Sequence, residues 1–211
     1  MNRNYKTQAT RILLALKKKF YGAKIALRYG NHIQLLVAVI LSAQCTDKKV
    51  NEVTEKLFKK YKTVDDFALA KQKTFEQEIR SCGFFKTKTK NIIAASKKIK
   101  KDFDGELPHT MKDILTLPGV ARKTANVVLG NAYGVVDGIA VDTHVKRFAE
   151  YCKLSKHKDP NKIEQDLMKL FPKKDWFGLT YMIIDHGRSW RTNKKAHKSC
   201  GVCKLCPRFI K

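Results

Sequence analysis

Apolar residues recur along this chain at helical spacing, and no stretch makes a convincing strand. Ile12, Leu13, Leu16 and Phe20 share one face of a helix predicted over Thr10–Phe20, with Arg11, Lys17 and Lys18 on its other sides. Ile33–Ser42 is apolar nearly all round, the pattern of a central buried helix. Ala43-Gln44-Cys45 ends it, and Thr46 or Asp47 caps a following helix carrying Val50, Val53, Leu57 and Phe58. Val64–Ala70 and Phe75–Ser81 read as shorter helices. Cys82-Gly83 breaks the pattern, and Lys88–Lys101 resumes it with Ile92, Ile93, Ala95 and Ile99.

The next signal is Leu117-Pro118-Gly119, a turn, followed by a run of helix formers from Val120 to Leu129 that Gly130 interrupts. A tight hairpin feeding a short helix follows. Glycine in the turn permits close backbone approach, and the first N–H groups of the helix lack intrahelical acceptors, an arrangement that suits a phosphate. On a helical wheel Val120, Ala121, Thr124, Ala125, Val127, Val128 and Leu129 form one apolar arc. Lys123 lies just outside it, about 40° from Val127. An amine partly withdrawn from water can act as a nucleophile, although the same position suits a lysine snorkelling at the rim of a core.

Beyond Gly138-Ile139-Ala140-Val141, the residues Val145, Phe148, Ala149 and Cys152 repeat at helical spacing, so Asp142 reads as an N-cap. That role alone would account for it. Asp159-Pro160 opens another helix containing Ile163, Leu167, Met168 and Leu170, which Phe171-Pro172 ends. Trp176–Ser189 is a last helix, with Leu179, Met182, Ile183 and His186 spaced to face a core. The expected fold class is all-α.

Charge narrows the partner. Forty-four Lys and Arg against nineteen Asp and Glu leave a formal charge of +25, an excess suited to a polyanion, either nucleic acid or an acidic membrane surface. Lys86, Lys88 and Lys90, which alternate after Phe84, and Arg122 beside the hairpin are the leading phosphate contacts. Lys17–Lys19 and Lys97–Lys101 suit solvated faces. The longest clean apolar run, Leu35–Leu41, is too short to span a membrane, and Ile12–Leu16 is too short for a signal-peptide core. Six cysteines, three of them within Cys200–Cys206, do not resemble a secreted disulfide framework, so reduced cytoplasm is the expected location.

Leu117-Pro118-Gly119-Val120-Ala121-Arg122-Lys123-Thr124-Ala125-Asn126-Val127-Val128-Leu129, with Ala140-Val141-Asp142-Thr143-His144-Val145 after it, resembles the helix-hairpin-helix DNA glycosylase superfamily, specifically its endonuclease III branch. Leu41–Asp47, Asn91-Ile92-Ile93 and His186-Gly187-Arg188 match in order and spacing, and the similarity runs from about Ala23 to Cys203. A lysine within the hairpin helix distinguishes this branch from adenine and thymine mismatch glycosylases.

The resemblance implies two helical lobes with a DNA cleft between them. One is a helical barrel from about residue 25 to 136 carrying the hairpin. The other joins residues 1–24 to 137–211. Lys123 and Asp142 would face each other across the cleft mouth. The implied activity is excision of oxidised pyrimidines from duplex DNA, coupled to cleavage of the abasic site through a Schiff base on Lys123, by a monomer associated with the nucleoid. DNA contacts carry over to Leu117, Pro118, Gly119, Val120, Ala121, Arg122, Thr143 and His144. Gln44 matches a side chain that inserts into the base stack and Phe84 an apolar wedge, usually leucine, that fills the gap of an extruded base. By local pattern alone Gln44 could close a helix and Phe84 could be core. The alternatives are a monofunctional mismatch glycosylase and a non-catalytic hairpin protein that binds DNA.

Two departures stand out. Ala121 replaces the usual second hairpin glycine, which the turn tolerates if φ there is negative. Relatives in this branch generally hold a four-iron, four-sulfur cluster on C-x6-C-x2-C-x5-C. Here Cys200 and Cys203 match the middle pair, Arg191 or Asn193 stands where the first cysteine belongs, and Cys206 comes three residues early. Three arrangements remain: a cluster on three thiolates with another fourth ligand, zinc on His197-x2-Cys200-x2-Cys203-x2-Cys206, or no metal and free thiols.

Overall fold

Helix caps define the element boundaries in a computed structural model that describes residues 3–192 and 200–206. Among the described residues there are twelve α-helices and no strand. They are α1 (Arg3–Phe20), α2 (His32–Leu41), α3 (Asp47–Lys60), α4 (Val64–Ala68), α5 (Gln72–Glu78), α6 (Phe85–Asp102), α7 (Met111–Ile114), α8 (Arg122–Tyr133), α9 (Thr143–Tyr151), α10 (Pro160–Leu170), α11 (Trp176–Thr192) and α12 (Gly201–Lys204). Side chains of Asn31, Thr46, Thr63, Thr110, Asp142 and Asp159 each accept a hydrogen bond from an N–H of the following first turn, satisfying donors that a helix start leaves unpaired.

The chain forms two compact units, Ala26–Val135 and a second unit made of Met1–Ile25 with Val136–Lys211. In the first, α2 is the centre, and Ile33 through Leu41 are all buried. Its one polar side chain there, Gln34, is satisfied: the amide donates to the Tyr61 carbonyl at 3.2 Å and accepts from the Gly30 N–H at 2.9 Å. Around α2 the rings of Tyr61, Phe67 and Phe75 pack with centroids 5.2 to 6.2 Å apart, filling the space between α3, α4 and α5. In the second unit Ile12 and Leu16 of α1 pack in one core with Phe148, Leu167, Leu179 and Ile183.

Local pattern and structure differ in several places, and α1 and α6 start earlier than their apolar spacing shows, at Arg3 rather than Thr10 and at Phe85 rather than Lys88. Gly130 does not end the hairpin helix; α8 continues to Tyr133 and stops at Gly134, which has φ +66° and supplies the left-handed C-cap. Gly130 is buried, so burial of the surrounding α8 face outweighs its weak helix propensity. Met111–Ile114 forms a single helical turn capped by Thr110, too short to show a period of its own. Lys88 is buried rather than facing solvent with Lys86 and Lys90.

Candidate nucleic-acid interface

The hairpin between α7 and α8 is set by three consecutive constraints. Leu117 and Val120 are buried and anchor it, and the Val120 N–H donates to the Leu117 carbonyl at 3.1 Å. Gly119 between them has φ +79°, a conformation that costs an L-residue about 1–2 kcal/mol. A Cβ there would also lie 2.8 Å from Asn91 Cβ on α6, so the hairpin backbone rests directly on that helix. Ala121 has φ −95° and ψ 170°, an extended N-cap open to any residue, which explains how alanine replaces glycine. No side chain caps α8, and Ala121 and Gly119 are exposed. The hairpin therefore presents backbone. Arg122 and Lys123, both half-buried, begin the helix behind it.

Two further turns of this unit hold strained backbone at exposed side chains. Gln44, after α2, has φ +53°, and Phe84, the N-cap of α6, has φ +47° and ψ 26°. Left-handed backbone at bulky non-glycine residues is uncommon and is retained where the surroundings impose it. Phe84 is 65 % exposed, an unusual place for a phenyl ring. Lys88 supplies the constraint on both turns. Its buried ammonium donates to the Leu41 carbonyl and to the Cys82 carbonyl, each at 2.8 Å. Leu41 leads into the Gln44 turn and Cys82 into the Phe84 turn, so one side chain ties their roots together. The expectation that Lys88 meets phosphate is thereby corrected: two carbonyls at the helix ends use its donors inside the fold, and burial lowers its pKa. Burial also pushes the Cys82 thiol up to about 11. Lys86 and Lys90 stay exposed.

Along α6, Phe84 and Asn91 are seven residues apart, about two helical turns or 10 Å. One rigid helix thus carries the Phe84 turn at its start, the Lys88 tie one turn in and the seat of the hairpin at the second.

In the other unit, Asp142 is the N-cap of α9: Oδ1 accepts from the Val145 N–H at 2.8 Å, and the residue is half-buried. Thr143 is exposed. His144 packs against α11 at Gly187, where a Cβ would stand 2.6 Å from His144 Nδ1. Among the described residues no helix is long and apolar enough to cross a membrane.

The cysteine segment differs most from expectation. Cys206 forms a disulfide with Cys152, the C-cap of α9, 54 residues away in sequence. A sulfur held in that bond is not a thiolate ligand, so the assignment of Cys206 as a metal ligand is corrected, and its thiol is not free. The reason is tertiary: α9 and α12 bring Cys152 and Cys206 into one buried core. His197 lies outside the described residues. Cys200 and Cys203 instead meet His186 of α11, whose Nε2 is 3.8 Å from Cys200 Sγ and 3.4 Å from Cys203 Sγ, with all three residues buried. Desolvation pushes the Cys203 thiol up to about 12. His186 was missed as a donor because its apolar spacing identifies a core position, and nothing linear links it to Cys200, 14 residues on.

These residues do not fit a four-iron, four-sulfur cluster. A cubane holds its cysteine sulfurs apart on outer corners, whereas here the donors converge on one point, and two of the four required thiolates are missing: no cysteine stands at the first position, and Cys206 is held in a disulfide.

Residues 37–173 match the family model of the HhH-GPD superfamily base excision DNA repair proteins. Endonuclease III of Synechocystis sp. is 51 % identical over 205 residues, 96 % of this chain and 93 % of that protein. Endonuclease III of Bacillus subtilis is 41 % identical over 189 residues, covering 89 % and 86 %. Among solved structures, a trapped endonuclease III–DNA covalent intermediate superposes with a TM-score of 0.90 at 38 % identity, covering 97 % of this chain and 96 % of that one.

Proposed function

The chain belongs to the HhH-GPD superfamily of base excision DNA repair proteins, and we propose that it is an endonuclease III-type DNA glycosylase that also cleaves the abasic site it creates. The observation that carries the lyase half is Lys123, half-buried in the first turn of the helix that follows a hairpin of exposed backbone. Covalent capture of DNA by a relative of similar sequence supports it.

The hairpin N–H groups take a backbone phosphate of duplex DNA. Phe84 and Gln44, presented on strained turns rooted by Lys88, occupy the space left when the damaged pyrimidine leaves the stack. The Lys123 amine then attacks C1′ of the sugar through its lone pair, while the base departs with its bonding electrons and takes up the proton the new C–N bond releases. Asp142, oriented by its cap hydrogen bond, stabilises the positive charge developing on the sugar. Ring opening leaves a Schiff base between Lys123 Nζ and C1′. Loss of a C2′ proton pushes electrons toward C3′ and expels the 3′ phosphate, nicking the strand. Lys86 and Arg122 contact flanking phosphates, and Thr143 and His144 form the edge of the contact at the start of α9.

Borohydride reduction of the protein with duplex DNA bearing one abasic site tests this reading. We expect a covalent adduct and a nicked strand with wild type, neither with Lys123→Ala, and a strong rate loss with Asp142→Asn. Binding without trapping or nicking would overturn the lyase assignment and favour a monofunctional glycosylase or a binding module.

A further inference from the structure

We propose that His186, Cys200 and Cys203 form a binding site for one zinc-class ion, in place of the iron–sulfur cluster that these residues do not fit. The three donor atoms lie within 4.8 Å of one another, and all three side chains are buried. Two sulfurs approach the same ring nitrogen, at 3.4 and 3.8 Å. An imidazole nitrogen has a single lone pair or a single hydrogen, directed along one axis, so the ring serves one sulfur along that axis, and the Cys200 and Cys203 thiols, hydrogen-bonded to each other, close a triangle of donors. An ion set between the three fits that triangle. Bonds of about 2.0–2.1 Å to imidazole and about 2.3 Å to thiolate, at the tetrahedral angle, put nitrogen and sulfur about 3.5 Å apart. The observed separations bracket that value.

Charge and softness point to the same class of ion. Binding converts two thiols to thiolates and releases two protons to solvent, leaving a dication, two thiolates and a neutral imidazole with no net charge, as burial requires. Thiolate and imidazole together favour zinc over hard cations such as magnesium or calcium. The ring of His186 is held edge-on by Phe20 and Phe148, with centroids 6.0 and 5.6 Å away, so Nε2 keeps its direction without the ion. Three protein donors leave a fourth corner to an exchangeable ligand.

The architectural consequence is a second tie on α12. The disulfide fastens the far end of this helix, through Cys206, to the end of α9, and the ion would fasten its start, through Cys200 and Cys203, to α11. Neither tie passes through Lys123 or Asp142, so the site is structural.

The test uses the full chain, purified without reductant and stripped with a chelator, then titrated with Zn(II) and separately with Co(II), with metal, iron and sulfide measured per chain. We expect one equivalent of Zn(II), and with Co(II) the visible ligand-field absorption of a tetrahedral thiolate centre. Cys200→Ser and Cys203→Ser should each weaken Zn(II) binding by more than about tenfold, since disturbing an outer-sphere partner alone typically costs 10- to 100-fold. If a serine variant fails to fold, the Co(II) spectrum of wild type still decides, because surface histidines and carboxylates give no thiolate charge-transfer band. Four irons and four sulfides per chain, or no thiolate–Co(II) band, would overturn the proposal.

Discussion

Gly119→Ala tests how the hairpin is held, and the structure supplies its own control in Gly134→Ala. Both glycines lie in the Ala26–Val135 unit with positive φ, +79° and +66°. Both substitutions incur the left-handed penalty of about 1–2 kcal/mol. Both also stiffen the unfolded chain, which returns about 0.4–1 kcal/mol. They differ in space. A Cβ at 134 meets nothing within 4 Å, whereas one at 119 meets Asn91 Cβ and Nδ2 at 2.8 Å and Cγ at 3.0 Å. The amide can swing aside, but Asn91 Cβ is fixed to the α6 backbone, so the hairpin itself must lift. Overpacking of this kind costs about 1–3 kcal/mol. Gly134→Ala should therefore destabilise by about 1 kcal/mol or less and Gly119→Ala by about 2–4 kcal/mol. At about 2–4 °C per kcal/mol for a chain of this size, the two melting temperatures should differ by about 2–12 °C. Thermal unfolding of both proteins in one buffer measures the difference. Equal melting temperatures would refute the claim that the hairpin rests on Asn91.

Four other outcomes follow from the same geometry. Asp142→Asn should retain the melting temperature, because an asparagine oxygen still caps Val145, while Asp142→Ala should lose about 1 kcal/mol; if both unfold alike in denaturant, the cap contributes nothing. Lys88→Met should lose about 1–3 kcal/mol, since two buried carbonyls lose a charged donor, and it should weaken DNA binding by loosening the Gln44 and Phe84 turns, as filter binding would show. Burial places the folded pKa of Lys88 below its unfolded value of 10.5, so between the two the unfolded chain binds more protons; wild type should gain stability relative to Lys88→Met as pH rises through that window, and a constant difference across alkaline pH would contradict this. Lys86→Ala should reduce the slope of log affinity against log salt by about 0.9 with little change in melting temperature, whereas an unchanged slope would remove Lys86 from the phosphate contacts.

Sequence by itself determined the local chemistry of this protein. Helical spacing of apolar residues established an all-helical chain, and Thr46, Asp142 and Asp159-Pro160 declared helix starts because capping acts over three residues. The contiguous run from Leu117 to Leu129 identified the superfamily. Tertiary structure decided whatever depends on residues far apart meeting. An alternating lysine run gives no sign that Lys88 turns inward, since only the convergence of α2 and the Cys82 turn supplies carbonyls that compensate a buried ammonium. Gly119 reads as a turn glycine, yet its close contact is with Asn91, on a helix packed beneath it. Cysteine spacing alone left Cys206 a ligand, and the packing of α9 against the end of the chain made it half of a disulfide. His186 carried only the signature of a core position, and became a donor because α11 and α12 bring Cys200 and Cys203 to the same ring nitrogen. Caps and periodicity are set by neighbours within a turn, whereas burial, pairing and ligand geometry are set by which helices share a core.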